Sequence, residues 1–181
     1  PFTLTASCEG ITFDVCQGAL PIACNQTYDG STESATPDAA PFCETGITAP
    51  GVWYSFVGNG QQTVISTCPD EQFDTKLNVY TGACDALVCA TGNDDSAEGV
   101  FCSTATFVAQ VGTTYYVLVQ GYDGETGPFE LTVNCLSCGA PLNAGVLTTD
   151  VTATVSWTST NAPATYTVEY GPAGFTLGTG T

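Results

Sequence analysis

The sequence contains no histidine, no methionine and a single basic residue, Lys76, against eighteen carboxylate side chains. Without histidine there is no Ser-His-Asp arrangement, and serine–lysine chemistry would have to use Lys76, which lies in a predicted strand. Nucleic-acid binding needs clustered lysine and arginine, and an anionic membrane surface would repel a chain of net charge −17. No apolar run is long enough to insert into a membrane. The plentiful acidic residues leave a carboxylate pair for glycoside hydrolysis as an alternative, but nothing in the sequence positions one. We therefore predict a protein that is not an enzyme, binds no nucleic acid and does not enter a membrane.

What the sequence does contain is ten cysteines. So many thiols are typical of an oxidising compartment, where they form disulfides. The alternative, a four-thiolate zinc site, needs two C-x-x-C pairs, and the chain has one, at Cys135 and Cys138. We therefore predict a secreted or cell-surface protein. With no initiator methionine, it is expected to be a processed chain or a segment of a longer one.

The predicted disulfides are structural, and each is expected to stabilise the fold by roughly 2–4 kcal/mol. The spacing favours three pairings: Cys84–Cys89, Cys16–Cys24 and Cys43–Cys68. The partners of four cysteines stay open: Cys8, Cys102, Cys135 and Cys138.

Alternating apolar and polar residues, separated by glycine-rich turns, predict many short strands and no helix. The expected strands are Ala19–Ala23, Tyr28–Thr32, Val52–Val57, one through Val64 and Ile65, one through Leu77 and Val79, Leu87–Ala90, Thr104–Ala109, Thr114–Gln120 and Phe129–Val133. Between the second and third of these, Ser34–Pro50 is predicted to form a long surface loop tied down by Cys43. The pattern predicts an all-β fold, an antiparallel β-sandwich or jelly roll.

The two ends of the chain have the pattern of incomplete β-units. Residues 1–8 match residues 128–135 at five positions of eight, which predicts the last strand of a preceding, similar domain; the alternative is a chance match. Residues 9–135 form the predicted sandwich, and residues 136–181 a partial second one. Its alternating segments, through Val155 and through Val168, are too few to close a sandwich. We expect self-association, or contact with tandem neighbours, through β-edges at 1–8 and 139–181.

Residues 16–135 resemble the bacterial pre-peptidase C-terminal domain, in the cysteine-rich form of large secreted proteins. The matching segments are residues 51–56 (GVWYSF), 66–68 (STC), 73–77 (FDTKL), 79–82 (VYTG), 92–95 (GNDD), 112–116 (GTTYY) and 127–133 (GPFELTV). Residues 138–181 resemble the front half of a fibronectin type III domain, through Cys138–Pro141, Trp157 and Tyr166–Gly171. The resemblance implies a non-catalytic β-sandwich module that accompanies secreted enzymes or belongs to long adhesin-like chains; some relatives bind Ca²⁺ or polymers.

The densest acidic cluster is Asn93, Asp94 and Asp95 with Glu98. Carboxylate and amide oxygens in a turn are suitable ligands for Ca²⁺. Asp74, or Asp123 and Glu125, could complete such a site from adjacent loops. The alternative is a turn in which these side chains bond their own backbone, with Asp74 as a structural turn residue.

Asp95-Ser96-Ala97 resembles the O-glycosylation signal of the bacteria whose secreted proteins contain this cysteine-rich domain. The resemblance predicts modification at Ser96. Two functions follow from these observations. The first is assembly or adhesion, as a segment of a large repeat protein or an extracellular filament. The second is an accessory Ca²⁺- or polymer-binding module of a secreted enzyme.

Overall fold

The computed structural model describes residues 12–68, 73–97, 100–136, 142–149, 152–158, 168–171 and 176. The chain divides into two compact units, Pro1–Ser137 and Cys138–Thr181. Residues 1–8, predicted to be a strand of a preceding domain, lie outside the described residues. In the described part of the chain, no helix has the length and apolar character needed to span a membrane.

Eleven strands and one 3₁₀ turn, at Cys16–Gly18, make up the regular structure of the described residues. In chain order the strands are β1 (Leu20–Pro21), β2 (Gln26–Ser31), β3 (Val52–Val57), β4 (Gln62–Ser66), β5 (Thr75–Ala83), β6 (Ala86–Asn93), β7 (Thr104–Val108), β8 (Thr114–Gly121), β9 (Pro128–Leu136), β10 (Leu142–Thr148) and β11 (Ala153–Thr158). The predicted all-β class is confirmed.

Two sheets form the sandwich of the larger unit. One has the strand order β1-β3-β8-β5-β6 and the other the order β2-β9-β4-β7. Strand β9 shows how the sequence specifies their packing, because Phe129, Leu131 and Val133 enter the core while Glu130 and Thr132 alternate with them. Neighbouring strands of these sheets are antiparallel, except that the two-residue strand β1 runs parallel to β3. The predicted antiparallel sandwich is therefore confirmed.

The connection between β2 and β3 covers the outer face of the five-stranded sheet. Cys43, at its centre, is fully buried. The side-chain amide of Asn78, on β5, donates to the Cys43 carbonyl at 3.0 Å. The amide oxygen of Gln120, on β8, accepts the Thr48 N–H at 2.8 Å. The predicted loop Ser34–Pro50 thus includes a segment that packs on the sheet and gives buried amide groups their partners.

Four disulfides lie in the larger unit: Cys16–Cys84, Cys24–Cys135, Cys43–Cys89 and Cys68–Cys102. All six cysteines for which we predicted bonds are bonded, but the three predicted pairings, Cys16–Cys24, Cys43–Cys68 and Cys84–Cys89, are wrong. Cys8 and Cys138 lie outside the described residues.

Strand register explains the error. Cys84 lies in the turn after β5, whereas Cys89 lies farther along β6, opposite Tyr80. A disulfide requires Cα atoms within about 7 Å, so neighbours in sequence on a hairpin need not be partners. Gln26 of β2 faces Val133 of β9, and two steps farther along the same ladder Cys24 and Cys135 face each other.

The described part of the smaller unit contains an antiparallel hairpin of β10 and β11. Val146 faces Val155 across it, and these side chains are 63% and 41% exposed. Residues 168–171, within a segment that alternates like a strand, are not in a strand; alternation alone does not supply the partner that a ladder needs. The resemblance to a fibronectin type III domain stays a prediction.

Candidate functional site

Three aspartates converge where β5 begins and β6 ends. Asp74 immediately precedes β5, whereas Asp94 and Asp95 immediately follow β6. Because these strands are antiparallel neighbours, their two ends meet at one edge of the sandwich. One carboxylate oxygen from each of the three aspartates lies within 4.8 Å of the other two. The fold therefore gathers three acidic side chains from two separate segments.

A bulge in β6 determines what faces this group. The ladder between β5 and β6 shifts by one residue and leaves Ala90 unpaired. Beyond the bulge Leu77 faces Asn93, so that the next step places Lys76 opposite Asp94. The Lys76 Nζ lies 3.4 Å from the Asp94 Oδ2. This cross-strand pair brings the chain's one basic side chain to the acidic group.

Lys76 is almost completely enclosed, with 3% of its surface exposed. Its Nζ also donates to the Thr48 hydroxyl at 3.4 Å and lies 5.4 Å from the centre of the Tyr122 ring. The side chain supplies a single positive charge to a group of three carboxylates. The site therefore keeps an excess of negative charge.

That excess is visible at Asp74. Burial, followed by the nearby charges of Asp95, Asp94 and Glu125, raises the pKa of Asp74 to about 6, although Lys76 opposes the shift. The Oδ1 atoms of Asp74 and Asp94 are both buried, and neither has a hydrogen-bond partner in the described protein. Buried carboxylate oxygens without partners are costly, and a bound cation is one way to satisfy them.

Asn93 holds the turn that carries Asp94 and Asp95. Its side-chain oxygen accepts the Thr104 N–H at 2.7 Å, and its amide group donates to the Asp95 carbonyl at 3.1 Å. The hydroxyl of Ser103 donates to the Asp94 carbonyl. Asn93 thus bonds the backbone, as the alternative reading of this cluster predicted.

The disulfide Cys68–Cys102 lies against the same turn. The Ser96 N–H donates to the Cys102 carbonyl at 2.8 Å. The Ser96 hydroxyl lies 3.5 Å from the sulfur of Cys68 and 3.4 Å from that of Cys102. This disulfide therefore fixes the segment that follows the two aspartates. Ser96 is exposed, and its glycosylation stays a prediction.

The structure unites Asp94 and Asp95 of the predicted metal site with Asp74, while Glu98 lies outside the described residues. Of the other two acidic residues considered, Glu125 reaches the group, because its carboxylate accepts the Asp74 N–H at 3.2 Å. Asp123 lies in a turn with a φ of 44°.

Reasoning from the sequence missed the part played by Lys76. A signal for it exists. Lys76 is the lone base of the chain and lies two residues after Asp74, so an extended backbone through both residues directs their side chains to the same side. What the sequence does not reveal is the β6 bulge that aligns Lys76 with Asp94.

The donor set of the site suits a hard divalent cation. Ca²⁺ binds carboxylate oxygens at about 2.3–2.6 Å, so two ligands of one ion lie up to about 5 Å apart. The 4.8 Å limit for the three aspartate oxygens fits that geometry. Ca²⁺ takes about 6–8 oxygen ligands, so water or further protein oxygens would complete its coordination.

No family model and no curated protein matches this chain. Among solved structures, the chain is similar to the pre-peptidase C-terminal domain of a collagenase from Bacillus anthracis, with 22% identity, a TM-score of 0.44, and coverage of 64% of this chain and 94% of that one. It is also similar to PliG of Aeromonas hydrophila, a periplasmic inhibitor of g-type lysozyme, with 16% identity, a TM-score of 0.42, and coverage of 65% and 96%. Since both TM-scores are low, the fold described above rests on strand order, register and burial.

Proposed function

We propose that the chain is a non-catalytic β-sandwich module of a secreted protein and that Asp74, Asp94 and Asp95 bind Ca²⁺. The observation that carries the proposal is the pair of buried carboxylate oxygens without partners, one on Asp74 and one on Asp94. A divalent cation between them would satisfy both oxygens and lower the pKa of Asp74 again. Four disulfides support an oxidising location outside the cytosol.

Calorimetric titration of calcium-free protein with Ca²⁺ tests the proposal. We expect one site, and a Tm that rises with Ca²⁺ concentration because the ion binds only the folded state. Asp95→Asn removes one ligand charge and should weaken binding roughly tenfold. The matched control is Asp85→Asn, which removes the same charge from the exposed turn between β5 and β6. A Tm that does not respond to Ca²⁺, or equal losses in the two variants, would refute the site.

Assembly or adhesion at the cell surface, in a repeat protein or an extracellular filament, is the second candidate function. The specific observation in its favour is the exposed apolar pair Val146 and Val155 on one face of the β10–β11 hairpin. A two-stranded sheet is only marginally stable alone, and exposed apolar faces are typical of contact surfaces.

Sedimentation over a range of protein concentrations tests this second function. Replacing Val146 and Val155 by threonine keeps the β-branched shape while making the face polar, and should lower self-association. Leu147→Thr is the control, because Leu147 is 77% exposed and projects from the other face of β10. A monomer at every concentration, or an equal effect of Leu147→Thr, contradicts self-assembly through this face.

A further inference from the structure

A surface cleft lies beside the edge strand β2, at the opposite edge of the sandwich from β6 and β7. Its volume is about 460 Å³, and its walls are formed by Phe13, Asp29, Gly30, Ser31, Glu33 and Ser34. The Glu33 N–H donates to the Ser31 hydroxyl at 3.2 Å, which forms a local turn at the end of β2. The residues that line this recess thus include one aromatic residue, two acidic residues and two serines.

The carboxylates of this cleft have no internal counter-charge. Lys76 is the only basic residue of the chain, and it is bonded to Asp94 at the other edge. The register of β2 and β9 moreover places Asp29 directly opposite Glu130. Like charges in such cross-strand pairs repel each other. A positive charge that relieves this repulsion has to come from another molecule.

Phe13, the aromatic residue of the cleft, has two contacts with strand β3. The Phe13 ring packs on Tyr54 with centroids 5.6 Å apart. The Phe13 carbonyl accepts the Trp53 N–H at 2.8 Å, which ties this segment to β3. An aromatic face beside carboxylates is the chemistry that binds ammonium and guanidinium groups, through cation–π attraction and ion pairing.

A buried polar group without a partner among the described residues lies behind Gly30. Tyr54 is fully buried, and its hydroxyl has no partner in the described protein. That hydroxyl touches the inner side of Gly30, where an added Cβ would come within 2.5 Å of it. Gly30 therefore forms a thin wall between the cleft and an unused hydrogen-bonding group.

We propose that this cleft binds a lysine or arginine side chain of a partner protein. The basic side chain lies against Phe13 and pairs with Asp29 and Glu33. The partner is not a second copy of this chain, because the only basic side chain of a copy, Lys76, is 3% exposed. This surface therefore serves hetero-association, independently of calcium binding and of self-assembly.

The test uses a blocked Gly-Lys-Gly tripeptide as the probe and the norleucine tripeptide, which lacks the charge, as its neutral counterpart. Binding is followed by NMR at about 0.15 M salt, where the Debye length of about 8 Å screens diffuse attraction. We expect the lysine peptide alone to shift the amide signals of Gly30, Ser31 and Ser34. Equal shifts with the norleucine peptide would show that the cleft binds apolar side chains and would overturn the proposal. The proposal would also be overturned if neither the lysine peptide nor the corresponding arginine peptide caused shifts.

Two cleft variants and one control distinguish binding in the cleft from attraction to the overall negative charge of the protein. Asp29→Asn with Glu33→Gln should weaken binding about fivefold, in line with the loss of exposed ion pairs. The control, Asp85→Asn with Asp123→Asn, removes two exposed charges outside the cleft and should leave the affinity unchanged. Phe13→Leu keeps an apolar contact with Tyr54 and should weaken binding about threefold through loss of the aromatic face. If the control weakens binding as much as the cleft variant, the attraction is diffuse and the proposal is wrong.

Discussion

The two acidic regions of the larger unit contain similar side chains in different surroundings. At the edge formed by β5 and β6, Asp74 and Asp94 carry buried oxygens, and Lys76 supplies an internal positive charge. At the edge formed by β2, Asp29 and Glu33 are exposed and no basic residue of the chain approaches them. The first region is charged inside the fold, and the second is charged at its surface.

This difference has energetic consequences. Buried charges without full compensation lower the stability of the folded state. Protonation or ion binding in the first region should therefore change the free energy of unfolding. Exposed charges are solvated by water and affect folding little. We therefore expect changes at Asp74, Asp94 and Lys76 to alter stability and ion binding together, whereas changes at Asp29 and Glu33 alter recognition.

The largest expected effects come from the disulfide attached to each region. Removing Cys24–Cys135, which ties down the start of β2, opens a loop of 111 residues, and removing Cys68–Cys102 opens one of 34. Chain entropy predicts a loss of about 4 kcal/mol for each paired Cys→Ala variant, because the three disulfides that remain already shorten the loop closed by Cys24–Cys135. Urea unfolding measures both losses.

Calcium affinity is the readout that separates these two variants. Only the Cys68–Cys102 variant should lose affinity, because this disulfide contacts Ser96 beside the aspartates. Equal calcium affinity in both variants would show that the two regions are not organised separately.

These disulfides also show where prediction from the sequence ends. The strands were predictable, since Phe129, Leu131 and Val133 alternate with polar residues as a half-buried strand requires. The partners of Cys24 and Cys68 were not, because both bonds join strands far apart in sequence whose register is set by the packed sandwich.

The candidate sites follow the same rule. The acidic residues around Asp94 were predictable from composition, but the pairing of Lys76 with Asp94 depends on the unpaired Ala90. Without that bulge, Lys76 would face Asn93. The cleft combines Phe13 with Glu33, from irregular segments on either side of β2, and no periodic pattern connects them.

Lys76→Met should give the next largest effect. Loss of one partner of a buried ion pair costs about 3–5 kcal/mol. Because Asp94 is 36% exposed, we expect a smaller loss of about 1–3 kcal/mol without calcium. Saturating Ca²⁺ should recover most of it by supplying the missing positive charge. Urea unfolding with and without Ca²⁺ measures both values, and a loss that is the same in both conditions would contradict the coupling.

The pH dependence of stability sharpens the comparison further. The folded-state pKa of Asp74, about 6, lies above the ordinary aspartate value of 3.8, which applies to the unfolded chain. At pH values between these two the folded state binds more protons than the unfolded state, so this group destabilises the fold above about pH 6 and the penalty disappears as pH falls towards 4. In calcium-free protein, the Tm difference between Asp74→Asn and the unchanged chain should therefore be largest at neutral pH and shrink on acidification.

Calcium should reverse that trend, since the ion binds the ionised carboxylate and competes with the proton. In saturating Ca²⁺ the unchanged chain should lose stability as pH falls through the range in which Asp74 is protonated. If the Tm difference between the two proteins does not change with pH, the pKa of Asp74 is the same in the folded and unfolded states, and the prediction is wrong.

The smallest effect is expected at the cleft. Asp29→Asn removes the like charge opposite Glu130, so we expect a gain in stability of about 0.2–0.5 kcal/mol at low salt, decreasing as salt screens the repulsion. The midpoint of urea unfolding measures it, with Asp85→Asn as the control for one charge fewer overall. A loss of stability, or a dependence on Ca²⁺ like that of the Asp74 variant, would mean that the Asp29 carboxylate stabilises the fold. Its surroundings would then resemble those of Asp94, and the contrast between a buried and a surface acidic region would fail.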